Sequence, residues 1–300
     1  MSYSNYENHQ RSTADAHTVA EHYNARPQVG VDARQDSTII QLKNLHNWIK
    51  SVLIRKFVKR GDVVLDFCCG KGGDLNKWIK ADISHLVGAD IANVSIDHAI
   101  ERCRDRNPRF SAKFYTMDCF VEPIENIVEP YSVDLVSCQF ALHYCAENET
   151  KFDRALDNIA TALKPGGHFI ATIPNCYRLI KRLEETSELG WGNTKYSVRF
   201  ETKQQSVYGH KYFFQLEDAI DDCPEYVFHF PTFVAKAAAR GLELVYEKPF
   251  HDLFMEETAN DRENLSLLYK MRVLDDNGTI SADEWEVSGV YMAIALRKRK

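Results

Sequence analysis

Val63-Val64-Leu65-Asp66-Phe67-Cys68-Cys69-Gly70-Lys71-Gly72-Gly73-Asp74 runs from an apolar strand into a glycine-containing turn, and a helical segment over 74–80 follows. Glycine at a strand-to-helix turn lets the backbone approach a ligand closely, and the N–H groups that open a helix favour negative charge. The stretch lacks the Gly-Lys-Ser/Thr of a Walker A loop, and Cys68 breaks the GxGxxG spacing of a dinucleotide fingerprint, so a pyrophosphate grip is disfavoured. Asp90 closes the next strand, 20 residues after Gly70, where a carboxylate can accept hydrogen bonds from both hydroxyls of a ribose. The strand after that leads to Asp118, placed to meet an adenine edge. Taken singly, Asp66, Asp90 and Asp118 each read equally as strand-end turn residues. Three successive strand-end acids behind a glycine turn point to an adenosyl cofactor. S-adenosylmethionine, with a sulfonium, an ammonium and no phosphate, fits acid-rich strand ends better than NAD.

Outward from the turn, apolar strands and helical segments alternate. Strands are expected at 63–67, 85–89, 113–117, 133–137 and 168–173, with helices at 74–80, 94–106 and 152–163. Strands separated by helices of about ten residues imply right-handed crossovers, hence an α/β fold with a mainly parallel sheet and helices on both faces. Lys164-Pro165-Gly166-Gly167 is expected to stop a helix and turn the chain into the next strand. Residues 175–230 break the alternation and read as a lobe inserted over one side of the sheet. A helix over 232–240, a strand over 242–246 and a final strand over 287–296 resume it. Upstream, Ile39 to Phe57 follow helical spacing and predict a long amphipathic helix that ends near Gly61, while the polar residues 1–36 read as a mobile arm. The expectation is therefore an arm over 1–36 and one domain over 37–300 that carries the lobe.

At 300 residues and 44% hydrophobic composition the chain can bury a large core. A net charge of −6 excludes a protein that grips many phosphates non-specifically, yet residues 1–60 hold nine Lys/Arg against five Asp/Glu, which suits an anionic ligand at that end. The eight cysteines show no CxxC pair and no metal-ligand spacing, so neither a disulfide framework nor a metal is expected. No run approaches membrane-spanning length. The closing Arg297-Lys298-Arg299-Lys300 reads as a nuclear-import fragment or as a solvated tail.

The sequence resembles the mRNA cap guanine-N7 methyltransferases. The motifs that carry the resemblance are Leu45-His46-Asn47-Trp48-Ile49-Lys50, the stretch from Val64 to Leu75, Gly88-Ala89-Asp90-Ile91-Ala92-Asn93-Val94-Ser95 and Ser137-Cys138-Gln139-Phe140-Ala141-Leu142-His143-Tyr144, with Ile173-Pro174, Glu225-Tyr226 and Gly289-Val290-Tyr291 further on. The resemblance implies a Rossmann-like class I methyltransferase fold with a seven-stranded sheet, and methyl transfer from S-adenosylmethionine to N7 of the guanosine in a GpppN cap, leaving S-adenosylhomocysteine. Carried over by position, Lys50 holds the cofactor carboxylate, Asp90 the ribose and Asp118 the adenine, with Cys68, Gly70, Gln139 and Tyr144 completing that pocket. The positions that match the cap site are His46, Asn47, Lys71, Lys77, Arg102, His143, Tyr144, Pro174, Glu225 and Tyr291. The partner implied is the capped 5′ end of RNA, with other capping enzymes as candidates, and the compartment implied is the nucleus; a monomer is expected. Two positions depart from the family pattern: Cys68 stands at a usual glycine, and His46-Asn47 at a usual pair of asparagines. A Cβ at 68 crowds the cofactor wherever the backbone there needs positive φ or close approach.

Guanine N7 carries a lone pair and no proton, so its methylation is an in-line displacement that needs no general base. No catalytic acid or base is expected; positioning residues do the work. Glu225 can accept from guanine N1–H and the exocyclic amine, or it is a solvated acid after Cys223-Pro224. Lys77 and Arg102 read equally as solvated helix charges, and His143 as a core histidine. A small-molecule methyltransferase and a non-catalytic cap-binding subunit are the competing readings, with a dehydrogenase well behind.

Overall fold

The computed structural model describes Thr18, Glu21, Asn24 and residues 37–300; the arm expected over 1–36 otherwise lies outside the described residues. Helix α1 (Ile40–Phe57) buries Leu42, Leu45, Trp48, Ile49, Val52, Leu53 and Ile54, the stripe that its spacing predicts. Its start is tied down by Glu284, which accepts from Leu42 N at 3.1 Å. It ends at Phe57, before Gly61, because Val58 turns to extended backbone.

β1 (Val63–Phe67), α2 (Leu75–Ala81), β2 (His85–Asp90), α3 (Asn93–Arg106), β3 (Ser111–Thr116), β4 (Val133–Gln139), α4 (Glu149–Ala162) and β5 (Leu163–Pro174) form the alternating part. With β10 (Leu242–Pro249) and β11 (Tyr291–Lys298) they make a seven-stranded sheet in the order β10-β11-β5-β4-β1-β2-β3. Strands β1 to β5 pair in parallel, and β11 runs antiparallel between β5 and β10. The inner strands are buried on both faces: Val64, Leu65, Leu135, Val136, Phe169 and Ile170 are all fully buried. Strand order reverses direction between β1 and β4, so a crevice opens beyond their carboxyl ends, where open parallel sheets hold ligands.

Residues 175–230 hold α5 (Cys176–Glu185) and a separate antiparallel sheet of β6 (Gly190–Gly192), β7 (Tyr196–Phe200), β8 (Lys211–Leu216) and β9 (Ile220–Tyr226). α6 (Phe230–Ala239) leads into β10. Two expectations are corrected. Lys164 to Gly167 does not precede a strand; it is a bulge inside β5, where Val133 pairs Leu163 and Leu135 already pairs His168, with Gly166 at φ +84° taking the left-handed kink. Nor does the final strand begin at Val287. Three helices, α7 (Phe250–Asn260), α8 (Arg262–Lys270) and α9 (Ala282–Ser288), occupy the stretch after β10, and Ser281 caps α9 by accepting from Glu284 N. Val287 faces the core from the last turn of that helix rather than from a strand.

Candidate active site

The end of β1 sets the site. Cys68 lies at φ +53°, so the backbone does require the left-handed region at the position where the sequence puts a side chain. Gly70 and Gly72, at φ +52° and +67°, continue the same irregular path. The loop is pinned from the next strand: Asp90 accepts from Gly70 N at 2.8 Å through one oxygen and from Ala92 N at 2.9 Å through the other. Burial raises the Asp90 carboxyl, and the two backbone donors act against that rise.

A cleft of about 270 Å³ opens over this loop. Six of the seven residues assigned to the cofactor line it: Cys68, Gly70, Asp90, Asp118, Gln139 and Tyr144. Ile91, Met117 and Phe120 add apolar wall beside the two carboxylates. This set suits an adenosyl group with a cationic tail: carboxylates for hydroxyls and amine, apolar surface for a base, and no cluster of cations for a phosphate.

Lys50 is not among the lining residues. Its ammonium lies 2.7 Å from Asp74 at the start of α2, and Lys77 lies at the same distance from the same oxygen. Burial pushes the Asp74 carboxyl up, but the two ammonium groups outweigh it and hold it below the usual carboxylate range. Asp66, buried nearby, is raised, first by burial and then by the negative charge of Asp74; it accepts from Trp78 Nε1 at 3.2 Å. Lys77 also donates to Asn47 Oδ1 at 3.1 Å, and Arg102 donates to the carbonyl of Gly72 at 3.3 Å. Lys77 is therefore a half-buried cross-link between α1 and α2 rather than a fully solvated helix charge. Lys71 is half-buried on the loop itself.

The other assigned positions gather in two linked groups. In the first, Glu225 is buried at the end of β9 and not solvated as the alternative has it. Its Oε2 accepts from Tyr212 OH at 2.6 Å and lies 3.4 Å from His143 Nε2, while the His143 ring lies 4.4 Å from that of Tyr144. In the second, Tyr291 at the start of β11 pairs Pro174 across the sheet and packs edge-on to His46 at 5.2 Å and to Phe140 at 5.1 Å. Burial, and then Lys50 one helical turn away, pushes the His46 imidazole down to about 3, so it is neutral at physiological pH. Tyr212 joins the groups: burial, then Glu225 and then Tyr291, push its phenol up.

Sequence reasoning missed Tyr212, because only the β8–β9 register sets it opposite Glu225. It also missed Glu147 and Lys151, a pair at 2.7 Å that lines the cleft with Tyr226. The (i, i+4) spacing of that pair was a readable signal.

Residues 6–299 match the profile of the mRNA (guanine-N(7))-methyltransferase domain. The chain is 46% identical over 294 residues to the mRNA cap guanine-N(7) methyltransferase of Cryptococcus neoformans var. neoformans serotype D, covering 93% of this chain and 47% of that protein. To the mRNA cap guanine-N(7) methyltransferase of Schizosaccharomyces pombe it is 43% identical over 308 residues, covering 98% of this chain and 85% of the relative. The chain thus spans about half the length of the Cryptococcus relative and most of the other. Among solved structures, the geranyl diphosphate C-methyltransferase of Streptomyces coelicolor A3(2) matches at a TM-score of 0.54 and 11% identity over 96% of this chain and 99% of that one, a likeness of fold.

Proposed function

Because the chain belongs to the mRNA (guanine-N(7))-methyltransferase family, we propose that it transfers a methyl group to N7 of the guanosine that caps a GpppN end. The observation that carries this reading is the buried Glu225 carboxylate, held by Tyr212 OH at 2.6 Å beside His143. A carboxylate fixed in a buried site recognises a guanine edge through N1–H and the exocyclic amine, a pair of donors that adenine lacks.

S-adenosylmethionine, when bound, supplies an electrophilic methyl group on sulfur. The protein's own task is to hold and align. Asp90 takes the ribose hydroxyls and Asp118 the adenine edge, with Cys68 and Gly70 behind the methionine portion, and Gln139 and Tyr144 closing it. Lys50, shared with Asp74, takes the carboxylate. Glu225, with His143, Tyr291 and Pro174, orients the guanine, and Lys71, Lys77 and Arg102 face the triphosphate, with His46 and Asn47 beside them. N7 has no proton to lose, so none of these residues acts as a base. Orientation of this kind can supply roughly 7–11 kcal/mol of a bimolecular barrier. The guanine becomes cationic as it is methylated, and aromatic faces such as Tyr144 contribute about 0.5–2 kcal/mol to a desolvated cation. The substrate makes capped RNA the partner and the nucleus the place of work.

GpppA incubated with methyl-labelled S-adenosylmethionine is expected to carry the label on guanine N7. Label elsewhere, or none, overturns the reading. Glu225→Ala should abolish transfer to GpppA yet leave binding of S-adenosylhomocysteine within about twofold.

A further inference from the structure

One line of side chains on α3 starts beneath the glycine loop and leads away from it. Ser95 lines the cleft, and Ala99 packs under Gly72, where a Cβ added to the glycine would stand 3.4 Å from that of Ala99. Further along, Arg102 donates to the Gly72 carbonyl at 3.3 Å. Arg106 follows four residues later, about 6 Å further along the axis and about 40° round the helix, so it continues the line. Arg109 comes next, just past the left-handed cap at Asn107. Arg106 and Arg109 are exposed and enter no ion pair among the described residues, whereas cations elsewhere, such as Arg55, Arg240 and Arg297, are held by carboxylates. The carboxyl end of a helix favours a cation in its last turn, which accounts for Arg106 alone; Arg109 lies past that turn, where the effect fades. Asp97, Glu101 and Asp105, exposed at four-residue spacing, form a separate stripe on the same helix, which turns a polyanion toward the arginines.

We propose that this line is a track for the RNA strand that follows the cap: the phosphates of the first transcribed nucleotides leave the triphosphate at Lys71 and Arg102 and pass over Arg106 and Arg109. The occupant is the substrate's own strand, because the line is continuous with the residues that face the triphosphate and because exposed guanidinium groups without a carboxylate partner suit phosphate oxygens. A chain of net charge −6 has no broad basic surface, so a track of two arginines serves a few nucleotides and no more. Contacts to phosphates carry no sequence information, and the track is therefore indifferent to which bases follow the cap. The proposal rests on the guanosine reading of the site.

KM is measured for two acceptors, GpppA and a short single-stranded RNA that begins with GpppA. The parent is expected to favour the capped RNA by at least about tenfold in KM at low salt. A fourfold rise in salt should reduce that preference about sevenfold, because two strand phosphates release ~0.7 counterion each. Arg106→Glu with Arg109→Glu should bring the two KM values within about twofold of each other, while kcat and KM for GpppA hold. Lys181→Glu with Lys270→Glu, the same change of charge at exposed positions on α5 and α8, should keep the parent's preference. A parent with equal KM for both acceptors, an arginine double variant that retains the preference, or a lysine double variant that loses it as fully overturns the track. Parent protein that binds S-adenosylhomocysteine but methylates neither acceptor on guanine removes the guanosine reading instead.

Discussion

Cys68 holds a left-handed backbone with a side chain attached, at φ +53°. An unbranched thiol tolerates that region better than a β-branched side chain does, so Cys68→Val should be less stable than Cys68→Gly by on the order of 1–2 kcal/mol in urea unfolding. Equal stabilities would mean that the loop relaxes out of this conformation. Asp90 closes the loop from the other side, and Asp90→Ala removes both of its backbone bonds. Calorimetry should then show S-adenosylhomocysteine weakened by at least about tenfold. His46 sets a pH dependence. Its folded pKa is about 3 against 6.5 for a free imidazole, so between those values the unfolded chain binds the proton that the folded protein refuses. The stability it contributes is present above pH 6.5 and is lost as pH falls toward 3. Across that window the melting temperature of the parent should fall more steeply than that of His46→Gln; parallel curves would show His46 to be charged in the folded protein.

Between elements, the joint of α1 and α2 is the Asp74 carboxylate with its two lysines. Removal of the shared partner leaves Lys50 and Lys77 facing each other with little solvent, and breaking a buried pair costs about 3 kcal/mol or more, so Asp74→Ala should lose that much in urea unfolding. In the lobe, β6 passes so close to β7 that a Cβ on Gly192 would stand 2.2 Å from the Tyr196 carbonyl. Gly192→Ala must push the strands apart. If the lobe serves only the acceptor, KM for GpppA rises while the Kd for S-adenosylhomocysteine holds; equal losses in both would tie the lobe to the cofactor end.

For the whole molecule, a ligand that binds only the folded chain stabilises it by about 2.7 kcal/mol at a hundredfold excess over its Kd. S-adenosylhomocysteine should therefore raise the melting temperature by several degrees, and Asp90→Ala should blunt the rise at the same concentration. The frame that holds this ligand was legible in the chain. Runs such as Val63–Phe67 and Val133–Gln139, the glycine turn between strand and helix, and the spacing to Asp90 all express local preferences of neighbouring residues, and they led to the parallel sheet and the lined cleft. The three helices after β10 were missed, and Val287 was set in a strand, because short apolar runs do not distinguish a last helical turn from a strand start. The glycine-containing turn, its acids and the family motifs are thus what the sequence determined by itself, since each is read from a short run of residues or from its spacing along the chain. Only the tertiary structure decided that Cys68 sits at positive φ, that Lys50 shares Asp74 with Lys77, that Tyr212 holds Glu225 and that His46 is closed behind Phe140. Those relations join residues far apart in the chain, and they depend on strand register and on burial, which strengthens or shifts a charge according to what is packed against it.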